Sequence, residues 1–180
     1  MVLIDPKLNH LLFFLAHSQV GDGNNVLHDL MLGSAILGMN VNIATPKGYE
    51  PNATIMQKTK DLAAASGASV MTTTVAAEAV KGADVVVTDT WVSMGQEAEY
   101  QKRVAEFDGY QVNAELMSKA NAGAVFLHCL PRHPEEVADE VFYSDASLVF
   151  PEAENRMVRP NETKYQLCLF VSIFHLPSIL

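Results

Sequence analysis

The chain has 180 residues, 49% hydrophobic and 18% charged, with a formal net charge of −9. That suits one compact domain with a sizeable core and disfavours a nucleic-acid or anionic-membrane binder, which needs a basic face. Two cysteines, Cys129 and Cys168, make no disulfide framework, and the balance is that expected of a soluble protein in a reducing compartment.

The apolar run at 11–16 is short for a signal-peptide core. A transit peptide is not expected either, because Arg103 is the first arginine and Asp5 sits where such peptides avoid acid. The apolar stretch 165–180 carries His175 and Pro177 and falls short of the roughly 20 residues of a spanning helix, so no transmembrane segment is predicted. Residues 24–39 place Val26, Leu27, Leu30, Met31, Ile36 and Leu37 on a helical stripe. A short strand at 41–44 closes at the turn Thr45-Pro46-Lys47-Gly48. A helix over 52–65 stops at Gly67, a strand follows at 69–74, and a short helix at 76–81 ends at Gly82. Val85, Val86 and Val87 with Thr88 form a buried-type strand without alternation. Charged helices are predicted over 96–107 and over 113–120, the second capped by Asn113. A buried strand at 124–128 precedes Cys129-Leu130-Pro131.

This alternation predicts an α/β domain: an open parallel sheet covered by helices on both faces, Rossmann-like, with right-handed crossovers. Ligands of such sheets sit beyond the carboxyl ends of the strands. The segments to search are therefore 21–25, 45–48, 89–91 and 128–132. Gly21-Asp22-Gly23 lacks the third glycine of a dinucleotide fingerprint, since position 26 is Val26, and Thr45-Pro46 stands where a ribose-binding acid belongs. The segment reads either as a tight turn with Asn24 as helix cap or as a carboxylate contact at a helix N-terminus, with Asn25 adding an amide. Asp89 either closes a turn or holds a ligand cation. Trp91 reads as a packing residue, and Gly95 either as a turn residue or as freedom for the Ser93-Met94-Gly95 loop to move over a ligand. Cys129, between His128 and Arg132, is a small buried hydrophobe or a perturbed thiol. Adjacent strand residues point to opposite faces, which argues against a His128–Cys129 dyad, and no spacing resembles a zinc site. Glu135, Glu136, Asp139 and Glu140 read as a solvated helix face. The acceptor patterns at Asn52 and Asn161 read as chance matches.

Five motifs in order, Gly-Asp-Gly-Asn-Asn (21–25), Ala-Thr-Pro-Lys-Gly-Tyr-Glu-Pro (44–51), Asp-Thr-Trp-Val-Ser-Met-Gly-Gln-Glu (89–97), His-Cys-Leu-Pro-Arg (128–132) and Phe-Pro-Glu-Ala-Glu-Asn-Arg (150–156), closely resemble ornithine carbamoyltransferases, the eukaryotic form in particular. The resemblance covers about residues 20–156 and implies the second, ornithine-binding domain of a two-domain enzyme. It implies that Asn25 meets the ornithine α-carboxylate side and that Asp89 holds the side-chain amine. Ser93 and Met94 then lie in the loop that closes over the amino acid. Cys129 and Leu130 lie where the carbamoyl group meets the amine, Arg132 completes the catalytic motif, and Arg156 contacts carbamoyl phosphate. Leu130-Pro131 is expected to be cis. The family substrates are L-ornithine and carbamoyl phosphate, with no metal or organic cofactor, no nucleic-acid or membrane partner, and a homo-oligomeric state that this chain is not expected to reproduce. By resemblance the location is the mitochondrial matrix; without a targeting peptide a cytoplasmic one stays open.

Three departures shape the expectations. The Ser-Thr-Arg-Thr loop by which the family's first domain binds carbamoyl phosphate does not occur in this sequence. The family continues after Arg156 into a long helix, where Arg159-Pro160-Asn161 is expected to break it and an apolar tail follows. Residues 1–19 and 158–180 therefore flank a domain at 20–157 as atypical segments, which suggests an alternative transcript or an imperfect gene model. Ala16-His17-Ser18-Gln19-Val20 is a poor central strand, so either the run at 11–15 shifts into that place or the sheet lacks its middle. The apolar tail at 167–173 is expected to drive self-association or to fold back on exposed apolar surface. Two functions follow: a chain that contributes to the transferase reaction while another polypeptide supplies the phosphate site, or a non-catalytic fragment that binds an amino acid or a partner subunit.

Overall fold

The computed structural model describes residues 15–158 apart from Asn25 and Met94, with Glu97 and residues 155–158 described by backbone alone. The strands are β1 (Ala16–Val20), β2 (Asn40–Ala44), β3 (Val70–Thr73), β4 (Val85–Thr88) and β5 (Val125–His128). The helices are α1 (Val26–Leu37), α2 (Ala53–Ser66), α3 (Ala76–Val80), α4 (Tyr100–Glu106, entered through a 3-10 turn at Glu97–Glu99), α5 (Ala114–Met117), α6 (Asp139–Phe142) and α7 (Val149–Val158). All strand pairs are parallel, in the order β3-β2-β1-β4-β5. The chain winds outward from β1 to β3, then returns to the other side of β1. The order reverses between β1 and β4, so their carboxyl ends flank a crevice of the kind that holds ligands in open α/β sheets.

Period-two alternation along the strands builds a core on each face. Leu27, Leu30 and Met31 of α1 pack with Val41, Ile43, Val85, Val87 and Leu127. On the opposite face Val20, Ala44, Val86 and Phe126 meet Ala79 and Val80 of α3, Leu116 of α5, Val141 of α6 and the aromatic trio Trp91, Phe107 and Tyr110. Asn52 caps α2 by accepting from the Thr54 N–H at 2.9 Å, and Gly67 ends that helix at φ 82°. Asn113 caps α5 through the Leu116 N–H at 2.9 Å, in a helix shorter than the spacing predicts.

The expectation for the central strand is corrected. Ala16–Val20 is β1, it is the middle of the sheet, and it pairs with β2 and β4 in register. Backbone ladders on both sides do not depend on side-chain polarity, and tertiary context overrides a weak β propensity. The polar side chains are nevertheless buried: His17 is 2% exposed, Ser18 and Gln19 0%. Burial pushes the His17 imidazole down to about 4, so it is neutral, with Nδ1 3.4 Å from the Ser34 hydroxyl. Ser18 Oγ and both polar atoms of the Gln19 amide have no hydrogen-bond partner among the described residues. Leu15 precedes the strand and packs beside α1, while 1–14 and the tail at 159–180 lie outside the described residues. Among the described residues no helix is long and apolar enough to cross a membrane.

Candidate active site

The parallel register sets Thr88 of β4 beside His128 of β5, so the next residue on each strand, Asp89 and Cys129, leaves the sheet side by side. The Cys129 thiol donates to Asp89 Oδ1 at 2.6 Å, and the Thr90 N–H donates to the same oxygen at 2.6 Å. Asp89 is 3% exposed, and its Oδ2 takes no hydrogen bond from the described residues. A nearly buried carboxylate with one oxygen uncommitted suits a ligand cation or N–H. Strand-end position singles out each residue and the family resemblance puts both at the amine; the strand order is what brings them into contact.

Around this pair the loops are locked by close packing. Gly21 has φ 127°, and a Cβ there would lie 3.1 Å from Trp91 Nε1. At Gly23 a Cβ would stand 2.0 Å from the Tyr49 carbonyl oxygen. Gly21 lets the β1 loop meet the β4 loop and Gly23 lets it meet the β2 loop, which is their role in place of a dinucleotide turn. Asp22 between them is buried and 3.5 Å from Arg103 Nη1. Burial pushes its carboxyl up, Arg103 pulls it down and Asp89 pushes it up again, leaving it raised. Arg103 also donates from Nη1 to the Trp91 carbonyl at 2.8 Å, and its guanidinium lies 4.9 Å over the Tyr49 ring.

The β5 loop is organised by Glu136. The expectation of a solvated acidic face is corrected here: Glu136 is 1% exposed and lies in a turn, its N–H bonded to the His133 carbonyl at 3.1 Å. Its Oε1 accepts from the Trp91 N–H at 3.1 Å and faces His133 Nδ1 at 2.9 Å. Its Oε2 accepts from the His133 N–H at 2.8 Å and faces His128 Nε2 at 3.1 Å. Burial pushes the Glu136 carboxyl up, but the bonds from His128 and His133 outweigh it and hold the group below the usual range. The Leu130 N–H donates to His128 Nδ1 at 3.0 Å, so the His128 proton sits on Nε2. Leu130 has φ 57° and is joined to Pro131 by a cis bond, as expected.

The remaining sequence candidates fall as follows. Ser93 lies in the loop after β4, its N–H bonded to Gln96 Oε1 at 3.2 Å, and Gly95 turns that loop at φ 87° with open space where a Cβ would stand. Arg132 is engaged with the Val137 carbonyl at 2.9 Å, with Asp139, and with the Phe142 ring 4.8 Å away. Asn25, Met94 and the Arg156 side chain lie outside the described residues; Arg156 stands on α7. Asp22, Arg103 and Glu136 escaped the sequence reading. Arg103 shares a face with Phe107 at i,i+4 spacing, and Pro134 starts the turn that bends Glu136 inward, signals that were present in the sequence. No group of three or more His, Cys, Asp or Glu among the described residues could hold a metal ion.

A doubly wound sheet with a thiol–carboxylate pair beyond its strand ends defines a small-molecule-binding α/β domain. Residues 16–161 match the model of the aspartate/ornithine carbamoyltransferase family, Asp/Orn binding domain, and the chain belongs to that family. It is 54% identical over 142 residues to a mitochondrial ornithine carbamoyltransferase of Aquarana catesbeiana, covering 79% of this chain and 41% of that protein. To the enzyme of the same name from Emericella nidulans it is 51% identical over 160 residues, covering 84% and 45%. The solved ornithine carbamoyltransferase from Pyrococcus furiosus superposes with a TM-score of 0.76 at 40% identity, covering 91% of this chain and 49% of that one. The chain thus spans less than half the length of these curated relatives.

Proposed function

We propose that this chain is the ornithine-binding half of an ornithine carbamoyltransferase, which converts carbamoyl phosphate and L-ornithine to L-citrulline and phosphate. The observation that carries this reading is the Asp89–Cys129 pair, held at 2.6 Å where two strand ends meet the crevice. The ornithine side-chain ammonium releases one proton to solvent, and its lone pair then attacks the carbamoyl carbon. The C–O bond to phosphate breaks as the departing phosphate takes the second proton from the attacking nitrogen. The free Oδ2 of Asp89 receives an N–H of that amine and orients it, and the Cys129 thiol, already donating to Oδ1, limits how much charge Asp89 offers. On the family resemblance Asn25 meets the α-carboxylate, Ser93 and Met94 close over the amino acid, Leu130 lines the carbamoyl position, and Arg156 meets carbamoyl phosphate. Arg132, engaged with Asp139 and Phe142, acts by shaping the loop that carries Cys129 and Leu130. For location and pathway our reading is the mitochondrial matrix and arginine biosynthesis, supported by the mitochondrial names of the relatives.

The phosphate-anchoring Ser-Thr-Arg-Thr segment does not occur in these 180 residues, and positioning supplies roughly 7–11 kcal/mol of a bimolecular barrier. The chain alone is therefore expected to form citrulline at background rate, and to act as an amino-acid-binding unit. Calorimetric titration tests this. Ornithine should bind with a Kd near millimolar, about −4 kcal/mol, and Asp89→Asn should abolish the heat. Unchanged binding in Asp89→Asn would contradict the reading.

A further inference from the structure

One buried hydroxyl joins the two strands that flank the crevice at the point where they separate. The register of β1 against β4 ends at Gln19 and Val87. One residue further along each strand, Thr88 Oγ1 donates to the Val20 carbonyl at 2.7 Å, and Thr88 is 0% exposed. Beyond this bond the two chains turn apart. Gly21 leans toward β2, its N–H donating to the Ala44 carbonyl at 3.0 Å, while Asp89 meets Cys129 after β5. The Thr88 hydroxyl also lies 3.2 Å from where a Cβ on Gly21 would stand, so the β1 turn rests directly on it. A fourth valine after Val85, Val86 and Val87 would have nearly the same shape; threonine adds the one donor that makes the crossing bond.

The proposed function gives the amino acid's carboxylate to the loop after β1 and its side-chain amine to Asp89, the residue after Thr88. The span between those two anchors then selects the length of the ligand. We propose that Thr88 is a positioning residue that determines specificity: its hydroxyl holds the β1 turn and Asp89 at the separation that suits ornithine rather than a longer or shorter diamino acid. The inference rests on the reading of Asp89 as the amine site. Thr88 itself stands behind the two anchors, within the sheet, and acts on the ligand only through them.

The experiment is a set of calorimetric titrations of the full chain with four ligands. These are ornithine, lysine with one methylene more, 2,4-diaminobutyrate with one fewer, and norvaline without the amine. In the parent a fixed span should favour ornithine over lysine and diaminobutyrate by about tenfold or more, the low end of what one methylene brings. Thr88→Val keeps the volume and removes the donor. It should weaken ornithine about three- to tenfold, the worth of one hydrogen bond, and cut the preference over both neighbours to about threefold or less. Thr88→Ser, which keeps the hydroxyl, should retain the preference. Val86→Ala, two residues earlier on β4 and in the same core, should lower the melting temperature and leave the preference unchanged.

A preference unchanged in Thr88→Val overturns the proposal, as does an equal loss in Thr88→Ser or in Val86→Ala. A parent that binds ornithine better than norvaline but does not discriminate by length overturns it too. If Thr88→Val does not melt cooperatively, Thr88→Ala is judged by the same criteria. Loss of the melt in both makes Thr88 a structural residue and also overturns it. The two readings fail distinguishably: equal binding of ornithine and norvaline in the parent, or no binding of any ligand, removes the amine site and this proposal with it. Discrimination against norvaline with no effect of Thr88→Val removes the role of Thr88 and leaves the site.

Discussion

Two buried polar regions of this domain are built in opposite ways. In β1, Ser18 and Gln19 are fully buried with polar atoms that meet no partner among the described residues. In the loops beyond β4 and β5, Glu136 is as deeply buried, yet both its oxygens are engaged by donors. An unpaired buried polar group costs about 1–3 kcal/mol, and a satisfied network orders its surroundings. The central strand is thus held by its neighbours despite its side chains, whereas the site loops are held by theirs.

The sharpest way to break this contrast is to remove the acceptor. Glu136→Ala leaves several buried donors unpaired and should lower the unfolding free energy by about 3–5 kcal/mol, the usual loss on breaking a buried charged pair. Urea denaturation measures it, and a loss no larger than that of an ordinary surface substitution would place the order of the loops elsewhere.

Acid should separate the two regions by pH. His17 titrates near 4 in the fold against 6.5 when free. Between these values only the unfolded chain takes up the proton, so stability falls as pH drops from 6.5 toward 4, by roughly 3 kcal/mol in all. The Glu136 carboxyl is held below its ordinary value of 4.5, so its contribution is present above 4.5 and is lost only as pH falls through its folded value. His17→Val should reduce the slope of the first window, to which His28, also lowered by burial, still contributes, and leave the second. A loss confined to pH below 4.5 in the parent chain would mean that His17 is hydrated.

The smallest expected effect has the opposite sign. Gln19 sits between Ile43 and Val87 in the sheet, and Leu is close to it in volume. Gln19→Leu should raise the urea midpoint by the equivalent of about 1–3 kcal/mol, with the m-value unchanged. A loss of stability would show that the Gln19 amide is satisfied after all.

How far the sequence reveals each region follows the same division. Asp89 and Cys129 were legible because parallel sheets present chemistry at carboxyl strand ends, and each follows an unmistakable apolar strand. Their contact was not legible, since it requires β4 and β5 to be neighbours, a property of the topology. Glu136 was hidden because an acidic run reads as solvated until the Pro134 turn is seen to fold it back onto His128. Arg103 was hidden within a charged helix whose inner face shows only in its spacing to Phe107. β1 is not legible as the central strand because local propensity ranks His17, Ser18 and Gln19 low, while pairing with β2 and β4 decides the matter.

The proposed role of Asp89, with Cys129 beside it, is to recognise the amine of ornithine. The most direct measurement is a paired calorimetric titration of the chain with ornithine and with norvaline, which has the same carbon chain and no side-chain amine. Ornithine should give heat with a Kd near millimolar, and norvaline should bind at least about tenfold more weakly, the worth of one charge-assisted hydrogen bond. Equal affinity for the two ligands would contradict it and remove Asp89 from amine recognition.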